Sequence, residues 1–512
     1  MKISAKRIFR IYRVYYLLLL LPGLLPAQQV TKGPYLADPR PEGISIRWEC
    51  DTRATGQIIY QDQAGSQFTV PGILLGTADG GFLYQAELTN LQPGKSYRYR
   101  LQIGSRSSAE HQFRSPPAPN ASLRFVVMGD SRSNPRIFQK VNALVEPLQP
   151  GLIISMGDLV ASGGRYEEWE KYYFSPAAKL IAEVPLISTL GDHEGDDDNG
   201  RLFAHFLFPK YDPQRLWFSF DFGPAHFVSL DYRHPENPEM IKWFRQDMGQ
   251  SRARWKFVFM HRPCYDLGGH RSHWGSGVWP ELFRVFRVDL VFAGHSHLYE
   301  RFFPVRPENK PDEWPVTYIT SGGAGAGLYE AVSSPFLAAS QSINHFLLIT
   351  LSGDSLRLRA YDLNNTVFDS LILAKSGGNY DSAYLARARS QELLDLTNMF
   401  ARELSFSLSL LPVGDHPAKH NLTLKSVLPD SIPFRISLAD SGMEFWQVES
   451  LSGVLPPSEG LKLPLHIYRK GEITVSRWGD IAPALQLRAE FERAGETISV
   501  TGAKIDYWPG GD

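Results

Sequence analysis

The sequence predicts an α/β domain in the middle of the chain, with a β-sandwich on either side of it. Three observations lead to this fold class. Near both ends, apolar and polar residues alternate with the period of a half-buried strand. Between these segments, short apolar runs alternate with helical stretches, which is the pattern of a layered α/β fold. The length of 512 residues allows several domains of ~100–200 residues each.

Residues 28–118 are predicted to form the N-terminal sandwich. Ile44, Ile46 and Trp48 alternate with polar neighbours, and turn residues recur at short intervals. The stretch 91–97 resembles the tyrosine corner of fibronectin type III domains. We therefore expect a fibronectin III-like β-sandwich in this segment.

The central α/β domain is predicted to cover residues 122–375. Buried strands are apolar on both faces, so they read as continuous apolar runs rather than as alternating ones. Five runs of this kind are spaced along the segment, at residues 125–128, 152–155, 185–188, 257–259 and 290–292.

A helical connector and a second sandwich are predicted to follow. In residues 377–404, Leu393, Leu396, Phe400 and Leu404 fall on one helical stripe. Beyond the connector the period of two returns, which predicts an Ig-like β-sandwich of unknown role over residues 405–512.

Composition excludes some classes of protein. Hydrophobic residues make up 43% of the chain and charged residues 21%, so extensive disorder is not expected. The formal net charge of −1 is not the basic footprint of a nucleic-acid-binding protein. Two cysteines, Cys50 and Cys264, are too few for a disulfide framework, and we expect both to be isolated buried thiols. The oligomeric state stays open.

Residues 1–27 read as a secretory signal peptide. Five basic residues precede an apolar run from 14 to 25, and Ala27 offers a small residue at a cleavage point. The alternative is a membrane anchor, but the run is shorter than the ~18 residues that a span needs, and Pro22 interrupts it. We therefore expect a protein exported to the periplasm, the cell surface or the medium, with no transmembrane anchor after cleavage.

Each of the five predicted central strands is followed by metal-ligand side chains. Ligands bind at the carboxyl ends of strands in α/β sheets, and carboxylates combined with imidazoles suit Zn, Mn or Fe. Three Asp and three His are enough for two metal ions if one Asp bridges them, and such a pair can clamp a phosphoryl group. The candidate metal ligands are Asp130, Asp158, Asp192, His261, His295 and His297.

The order of these groups resembles that of the calcineurin-like metallophosphoesterases. Residues 294–301 (GHSHLYER), 260–265 (MHRPCY) and 33–36 (GPYL) are similar to the purple acid phosphatase branch. The resemblance covers about residues 30–375. It implies a four-layer metallophosphoesterase β-sandwich flanked by helices, and two divalent or mixed-valence metal ions as cofactors.

The same resemblance assigns roles to individual residues. His193 would stabilise or protonate the phosphate, and His270 or His273 would contact the substrate or protonate the leaving group. Asp158 would bridge the two metals. One metal would be held by Asp130, Asp158 and His297, and the other by Asp158, Asp192, His261 and His295.

The sequence departs from the family pattern at three positions. Ala161 stands where purple acid phosphatases carry a tyrosine ligand, so neither the purple colour nor a preference for Fe(III) is expected. Arg132 stands where other members of the family have a histidine. Either water or another residue completes the first metal site, and Arg132 either binds phosphate or is a surface residue. Asp192 replaces the usual asparagine and adds a negative charge.

The function implied is hydrolysis of a small phosphate monoester by a metal-bridging hydroxide. A phosphodiesterase acting on nucleotides or related diesters is the alternative, and a catalytically degenerate binding protein is a third hypothesis. Other features have structural interpretations. We expect the glycine-rich run 321–327 to be a tight turn near the site rim, and Glu194, Glu300 and Arg301 to support the fold.

Overall fold

The structure is a computed structural model that describes residues 29–208, 215–439 and 443–509. The signal peptide predicted for residues 1–27 lies outside the described residues. Within the described ranges, no helix is long and apolar enough to cross a membrane.

The N-terminal segment is all-β, as predicted. Its strands form one sheet in the order β1-β2-β6-β5 and another in the order β4-β3-β7-β8, with β9 beside β7. The Gln92 backbone N–H donates to the Tyr97 hydroxyl at 2.9 Å, a contact within the stretch that resembles a tyrosine corner. The fibronectin III-like assignment stays a prediction. The strands are β1 Val30–Arg40, β2 Gly43–Cys50, β3 Gly56–Gln61, β4 Gln67–Pro71, β5 Ile73–Ala78, β6 Gly81–Leu88, β7 Ser96–Ile103, β8 Arg106–Ser107 and β9 His111–Arg114.

The central segment contains most of the helices. A 3-10 turn at Glu146–Leu148 follows the first helix, and a π-helical stretch at Trp169–Phe174 joins the second to the third. The helices are α1 Pro135–Val145, α2 Tyr166–Glu168, α3 Ser175–Glu183, α4 Asp192–Asp198, α5 Arg201–Leu207, α6 Pro238–Gln250, α7 Trp279–Val285, α8 Ser382–Leu385 and α9 Gln391–Glu403.

Two seven-stranded sheets form the core of this segment, in the orders β12-β11-β10-β21-β22-β23-β24 and β13-β14-β15-β16-β19-β17-β20. Strands β18 and β25 form a separate parallel pair. The strands are β10 Leu123–Met128, β11 Leu152–Ser155, β12 Leu186–Ser188, β13 Phe218–Phe222, β14 Ala225–Ser229, β15 Trp255–Met260, β16 Leu290–Ala293, β17 Tyr299–Phe302, β18 Val305–Arg306, β19 Thr317–Ser321, β20 Leu337–Gln341, β21 His345–Ser352, β22 Ser355–Asp362, β23 Val367–Ser376, β24 Asn379–Tyr380 and β25 Arg389–Ser390.

The two sheets pack against each other through aromatic side chains. The Phe125 ring on β10 lies 5.2 Å from that of Phe227 and 5.3 Å from that of Phe257, both in the second sheet. All five strands predicted from apolar runs are present, but they are divided between the sheets. Strands β10, β11 and β12 are parallel in the first sheet, whereas β15 and β16 are parallel in the second.

The C-terminal segment is also built from β-sheets. A five-stranded sheet in the order β26-β35-β34-β28-β30 accompanies a three-stranded sheet, β27-β31-β29, and a short pair. The Ig-like assignment stays a prediction. The strands are β26 Ser407–Leu408, β27 Ala418–Lys425, β28 Ile432–Leu438, β29 Trp446–Val448, β30 Leu451–Leu455, β31 Gly460–Arg469, β32 Thr474–Val475, β33 Ile481–Ala482, β34 Leu485–Arg493 and β35 Glu496–Tyr507.

The prediction of a helical connector over residues 377–404 was wrong in its first half. Gly377 and Gly378 have φ angles of 58° and 80°, a left-handed conformation that turns β23 back onto β24. The long helix begins only at residue 391. Its Phe400 ring lies 5.4 Å from that of Phe491, so the helix packs against the C-terminal sheet.

Polar contacts hold the N-terminal sandwich on the central segment. The Tyr35 hydroxyl donates to the Phe206 carbonyl at 2.9 Å, and the Tyr99 hydroxyl donates to the Ala182 carbonyl at 2.7 Å. Cys50 and Cys264 are both buried and free, as predicted.

A buried histidine in the second sheet makes the stability of the fold depend on pH. His226 Nδ1 lies 2.8 Å from Asp221 and its Nε2 lies 2.8 Å from Asp247. Although burial opposes the charged form, these two carboxylates raise the pKa of His226 to about 9. Because the folded pKa exceeds the unfolded one, this stabilisation is complete below about pH 6.5 and is lost as the pH rises through about 9.

We expect the free energy of unfolding to fall by roughly 2 kcal/mol across that pH window, after allowance for screening of the exposed Asp221. Urea denaturation at several pH values measures this slope. The His226→Gln variant should show a flatter profile, and an equal slope in both proteins would contradict the assignment.

Candidate metal centre

Strained backbone marks the ends of the ligand-bearing strands. Asp130, Asp158 and His295 have φ angles of 58°, 56° and 67°. The left-handed region is uncommon for residues other than glycine, and such strain tends to cluster at functional sites. In each case, the turn carries a ligand-type side chain directly after a buried strand.

The structure brings all six predicted ligands together, in two adjacent groups. Within each group the candidate ligand atoms lie within 4.8 Å of one another. Asp158 faces both groups, because its Oδ1 is 3.4 Å from His261 Nε2 in the second. The first group is Asp130, Asp158 and His297, and the second is Asp192, His261 and His295.

The electrostatics of this cluster fit a bound cation. His261 Nε2 is buried and makes no hydrogen bond with a described residue, although it lies 3.3 Å from Asp192 Oδ1. Burial alone would lower the pKa of His261, but Asp158, Asp192 and Asp130 raise it to about 10. Burial also raises the pKa of Asp130. The carboxylates concentrate negative charge here, so a bound cation would stabilise the cluster. The combination of carboxylate and imidazole donors suits a transition metal.

Backbone carbonyls orient two of the imidazoles. His261 Nδ1 lies 2.8 Å from the Met156 carbonyl, and His297 Nδ1 lies 2.7 Å from the Gly327 carbonyl. A ring that donates its Nδ1–H to a carbonyl keeps Nε2 free as a ligand atom. Gly327 closes the glycine-rich run, so the end of this run contacts the first group; the prediction that the whole run is a tight turn at the rim stays a prediction.

Arg132 lies directly beside the first group. Its Nε donates to Asp158 Oδ2 at 2.9 Å, and its Nη2 is 3.3 Å from His297 Nε2. In the described part of the chain no further Asp, Glu, His or Cys joins all three members of this group, but His193 forms a third set of possible ligands with Asp158 and Asp192. Ala161 contributes only its backbone carbonyl, which lies 2.6 Å from His193 Nδ1.

Arg262 lies in the corresponding place beside the second group, and sequence reasoning missed it. Its guanidinium donates to Asp192 Oδ2 at 3.0 Å and lies 5.0 Å from the centre of the Tyr232 ring. It offsets the additional charge that Asp192 brings in place of asparagine. Its position directly after His261 was the signal that could have identified it.

The two other predicted histidines also face the groups. His193 is about one-third exposed, and its Nε2 is 3.9 Å from Asp158 Oδ2. The His270 ring stacks on His295 at 4.1 Å, and burial lowers the pKa of His270 to about 3. His273, the second candidate, is exposed near Arg402 and makes no such contact.

Tyr329 was also missed, and nothing in its sequence neighbourhood predicts a role. Its hydroxyl lies 3.0 Å from His270 Nε2, and its ring stacks on that of His297 at 4.6 Å. The side chain therefore lies between a ligand histidine and the predicted substrate histidine.

Buried polar side chains hold the His270 loop. Ser296 Oγ accepts the backbone N–H of His270 at 2.9 Å and donates to Asp266 at 2.6 Å. Glu300 accepts the backbone N–H groups of residues 267 and 268, which is the structural role predicted for it. Asn398 on α9 accepts the Asp266 backbone N–H at 3.1 Å, so the connector helix also supports this loop.

Glu194 ties together the loops that carry Asp158 and Asp192. Its fully buried carboxylate accepts the backbone N–H groups of Asp158, Leu159, Val160 and Gly191, at distances from 2.7 to 3.0 Å. Arg301 forms a pair with Asp369 at 2.7 Å, away from the ligand groups. The predicted structural roles of both side chains therefore agree with their contacts.

Comparison with known proteins assigns a family to one segment of the chain. Residues 123–299 match the family model of the calcineurin-like phosphoesterases. This segment is therefore a calcineurin-like phosphoesterase domain, and the proteins similar to the chain include purple acid phosphatases. The matched segment runs from β10 to the start of β17, and it contains all six candidate ligand residues.

Similar proteins extend this match beyond the phosphoesterase domain. Acid phosphatase type 7 of Mus musculus is 26% identical over 354 residues, covering 59% of this chain and 78% of the mouse protein. Probable inactive purple acid phosphatase 1 of Arabidopsis thaliana is 24% identical, covering 51% of this chain and 52% of that protein. The purple acid phosphatase PPD1 from yellow lupin (Lupinus luteus) seeds shares the fold, with a TM-score of 0.59 at 18% identity, over 70% of this chain and 75% of that one.

Proposed function

We propose that this protein is a metal-dependent phosphatase that hydrolyses phosphate monoesters at a dinuclear centre. The observation that carries the proposal is the shared ligand Asp158, which faces two ligand groups at once. Similarity to an acid phosphatase supports the reaction class. The likeness to a probable inactive relative makes a direct activity measurement essential.

The six ligand residues would hold the two metal ions, as Zn, Mn or Fe. When bound, such a pair polarises the phosphoryl group and activates water near neutral pH. Asp158 is the bridging ligand in this proposal. Its two oxygens point to different partners, Oδ1 to His261 and Oδ2 to Arg132.

Arg132 and Arg262 are proposed to bind the phosphate oxygens. Each guanidinium lies at a carboxylate ligand, and each is partly exposed. A guanidinium pairs with phosphate through two parallel N–H donors, so the two arginines can hold the substrate from either side. The first metal site then keeps three protein ligands, and we propose that its metal is the more exchangeable of the two.

His193 and His270 are proposed to contact the substrate and to assist protonation of its leaving group. Because His193 Nδ1 faces the Ala161 carbonyl, its Nε2 is the nitrogen that faces substrate. His270 Nε2 and the Tyr329 hydroxyl form one hydrogen-bonded pair at the opening of the site. Because its lowered pKa keeps His270 neutral near pH 7, His270 is proposed to contact the substrate, and His193 is proposed to act as the general acid.

Export is part of the same proposal. It rests on the basic and then apolar pattern of residues 1–27. The proposed partner is a small phosphorylated substrate.

Metal analysis coupled to a substrate screen tests the proposed function. We expect two metal ions per chain after reconstitution with Zn, Mn or Fe. On dialysis, we expect the metal of the first site to be lost before the other. We expect hydrolysis of p-nitrophenyl phosphate to exceed that of the bis-ester. A preference for the bis-ester would favour the phosphodiesterase alternative, and metal loading without turnover of either ester would favour the binding protein.

A further inference from the structure

A cavity of about 690 Å³ lies between the phosphoesterase domain and the C-terminal sheet. One wall comes from the loops at Gly269, Arg271 and Tyr329. The opposite wall comes from β35, including Ser499 and Thr501. Ligand pockets in proteins commonly have volumes of ~300–1,000 Å³, so the cavity is large enough for an organic substrate.

The cavity adjoins the loop that carries His270 and the side chain of Tyr329. Gly269 directly precedes His270, and Tyr329 lines the cavity while its ring stacks on His297. The Tyr329 hydroxyl also reaches His270 at 3.0 Å. A substrate whose phosphate lies between the ligand groups would therefore extend its leaving group past these two side chains and into the cavity.

A buried arginine in the cavity wall lacks a complete set of acceptors. Arg271 is only 6% exposed, and its Nη1 donates to the Gly269 carbonyl at 3.0 Å. Its Nε makes no hydrogen bond with any described residue. Buried donors are rarely left unpaired, because desolvation without a partner is unfavourable. The Arg271 guanidinium thus points to a polar ligand.

The facing wall mixes donors with acceptors. Asp480 and Asp506 are neighbouring carboxylates, and burial together with Asp480 raises the pKa of Asp506. Lys504 forms an ion pair with Glu330 across the cavity. Hydroxyl groups both donate and accept, so they match such a wall. The carboxylates would repel an anionic leaving group. A protonated amine has no acceptor atom, so it would leave the Arg271 N–H without a hydrogen-bond partner.

We propose that this cavity binds a polyhydroxylated leaving group, so that the substrate is a phosphate ester of the sugar phosphate class. The C-terminal sheet then has a direct role in substrate selection. This inference rests on the proposed phosphomonoesterase function, and it adds to that function the chemistry of the alcohol released.

Filling the cavity tests the proposal. We expect Thr501→Trp to lower kcat/KM for glucose 6-phosphate by about tenfold, because the indole displaces a hydroxylated leaving group. For p-nitrophenyl phosphate, whose flat leaving group has no hydroxyl, we expect a change below about threefold. The matched control is Thr497→Trp, an exposed position about 13 Å away on the same strand and outside the cavity.

Saturation-transfer NMR of glucose with the metal-free protein gives a readout that does not depend on turnover. We expect transfer to glucose with the wild type and Thr497→Trp, and its loss with Thr501→Trp. Equal transfer with all three proteins would overturn the proposal, as would a higher kcat/KM for choline phosphate than for glucose 6-phosphate. Absence of turnover with every ester would contradict the phosphatase function, while the NMR result would still decide whether the cavity binds a polyol.

Discussion

Replacing Asp158 with asparagine is expected to reduce metal-dependent kcat by ~10³-fold or more, equivalent to about 4 kcal/mol of transition-state stabilisation. Asp158 is 1% exposed, belongs to the first ligand group and lies 3.4 Å from His261 of the second. The amide keeps one ligating oxygen but loses the negative charge and the second carboxylate oxygen. Both proposed metal sites are therefore weakened by a single change, and steady-state kinetics with metal analysis measure the result.

The matched control for this prediction is Asp197→Asn. Asp197 lies on α4, close to the centre, but its carboxylate accepts hydrogen bonds from Ser162 and Gly164 and joins neither ligand group. We expect this variant to keep wild-type metal content and to change kcat by less than about threefold. Unchanged hydrolysis in the Asp158 variant would refute the assignment of the site.

Replacing Glu194 with glutamine is expected to destabilise the fold by roughly 3 kcal/mol. Each carboxylate oxygen accepts two backbone N–H groups. In glutamine, an NH₂ donor replaces one of these oxygens and would face two N–H donors. These N–H groups belong to the loops that carry Asp158 and Asp192. Looser loops should also weaken metal binding, which a competition titration with a chelator detects.

An exposed glutamate nearby is the control for this second prediction. Glu167 on α2 is exposed, so Glu167→Gln should change the free energy of unfolding by less than about 0.5 kcal/mol. Urea denaturation of both variants at one pH measures the difference. An equally small effect at Glu194 would mean that water can replace the carboxylate at the backbone N–H groups.

Strand positions and ligand types were predictable because each is encoded locally. A buried strand needs a continuous apolar run, and a metal ligand needs a particular side chain. The departures from the family pattern at Ala161 and Arg132 could also be seen in the sequence, because each concerns only which residue type stands at one position. The family resemblance supplied the grouping of ligands into two sets, which the residues alone left open.

Contacts between distant segments were not predictable in the same way. Tyr329 is 32 residues beyond His297, and Asn398 is about 130 residues beyond the loop that it holds. Arg262 could have been predicted from the sequence, because it directly follows the candidate ligand His261. The connector helix was overextended, since β24, α8 and β25 follow the Gly377-Gly378 turn before the long helix begins at residue 391.

The sequence by itself determined which side chains follow each buried strand, and therefore the six candidate ligands. Only the tertiary structure decided that these strands belong to two sheets, whose packing brings Asp130 and Asp158 against His261 and His295. It also placed the Arg132 guanidinium beside the first group and the C-terminal sheet across the cavity. The physical reason is that strand and ligand patterns are local properties of the chain, whereas a cluster of charges or a cavity is formed by residues far apart in sequence.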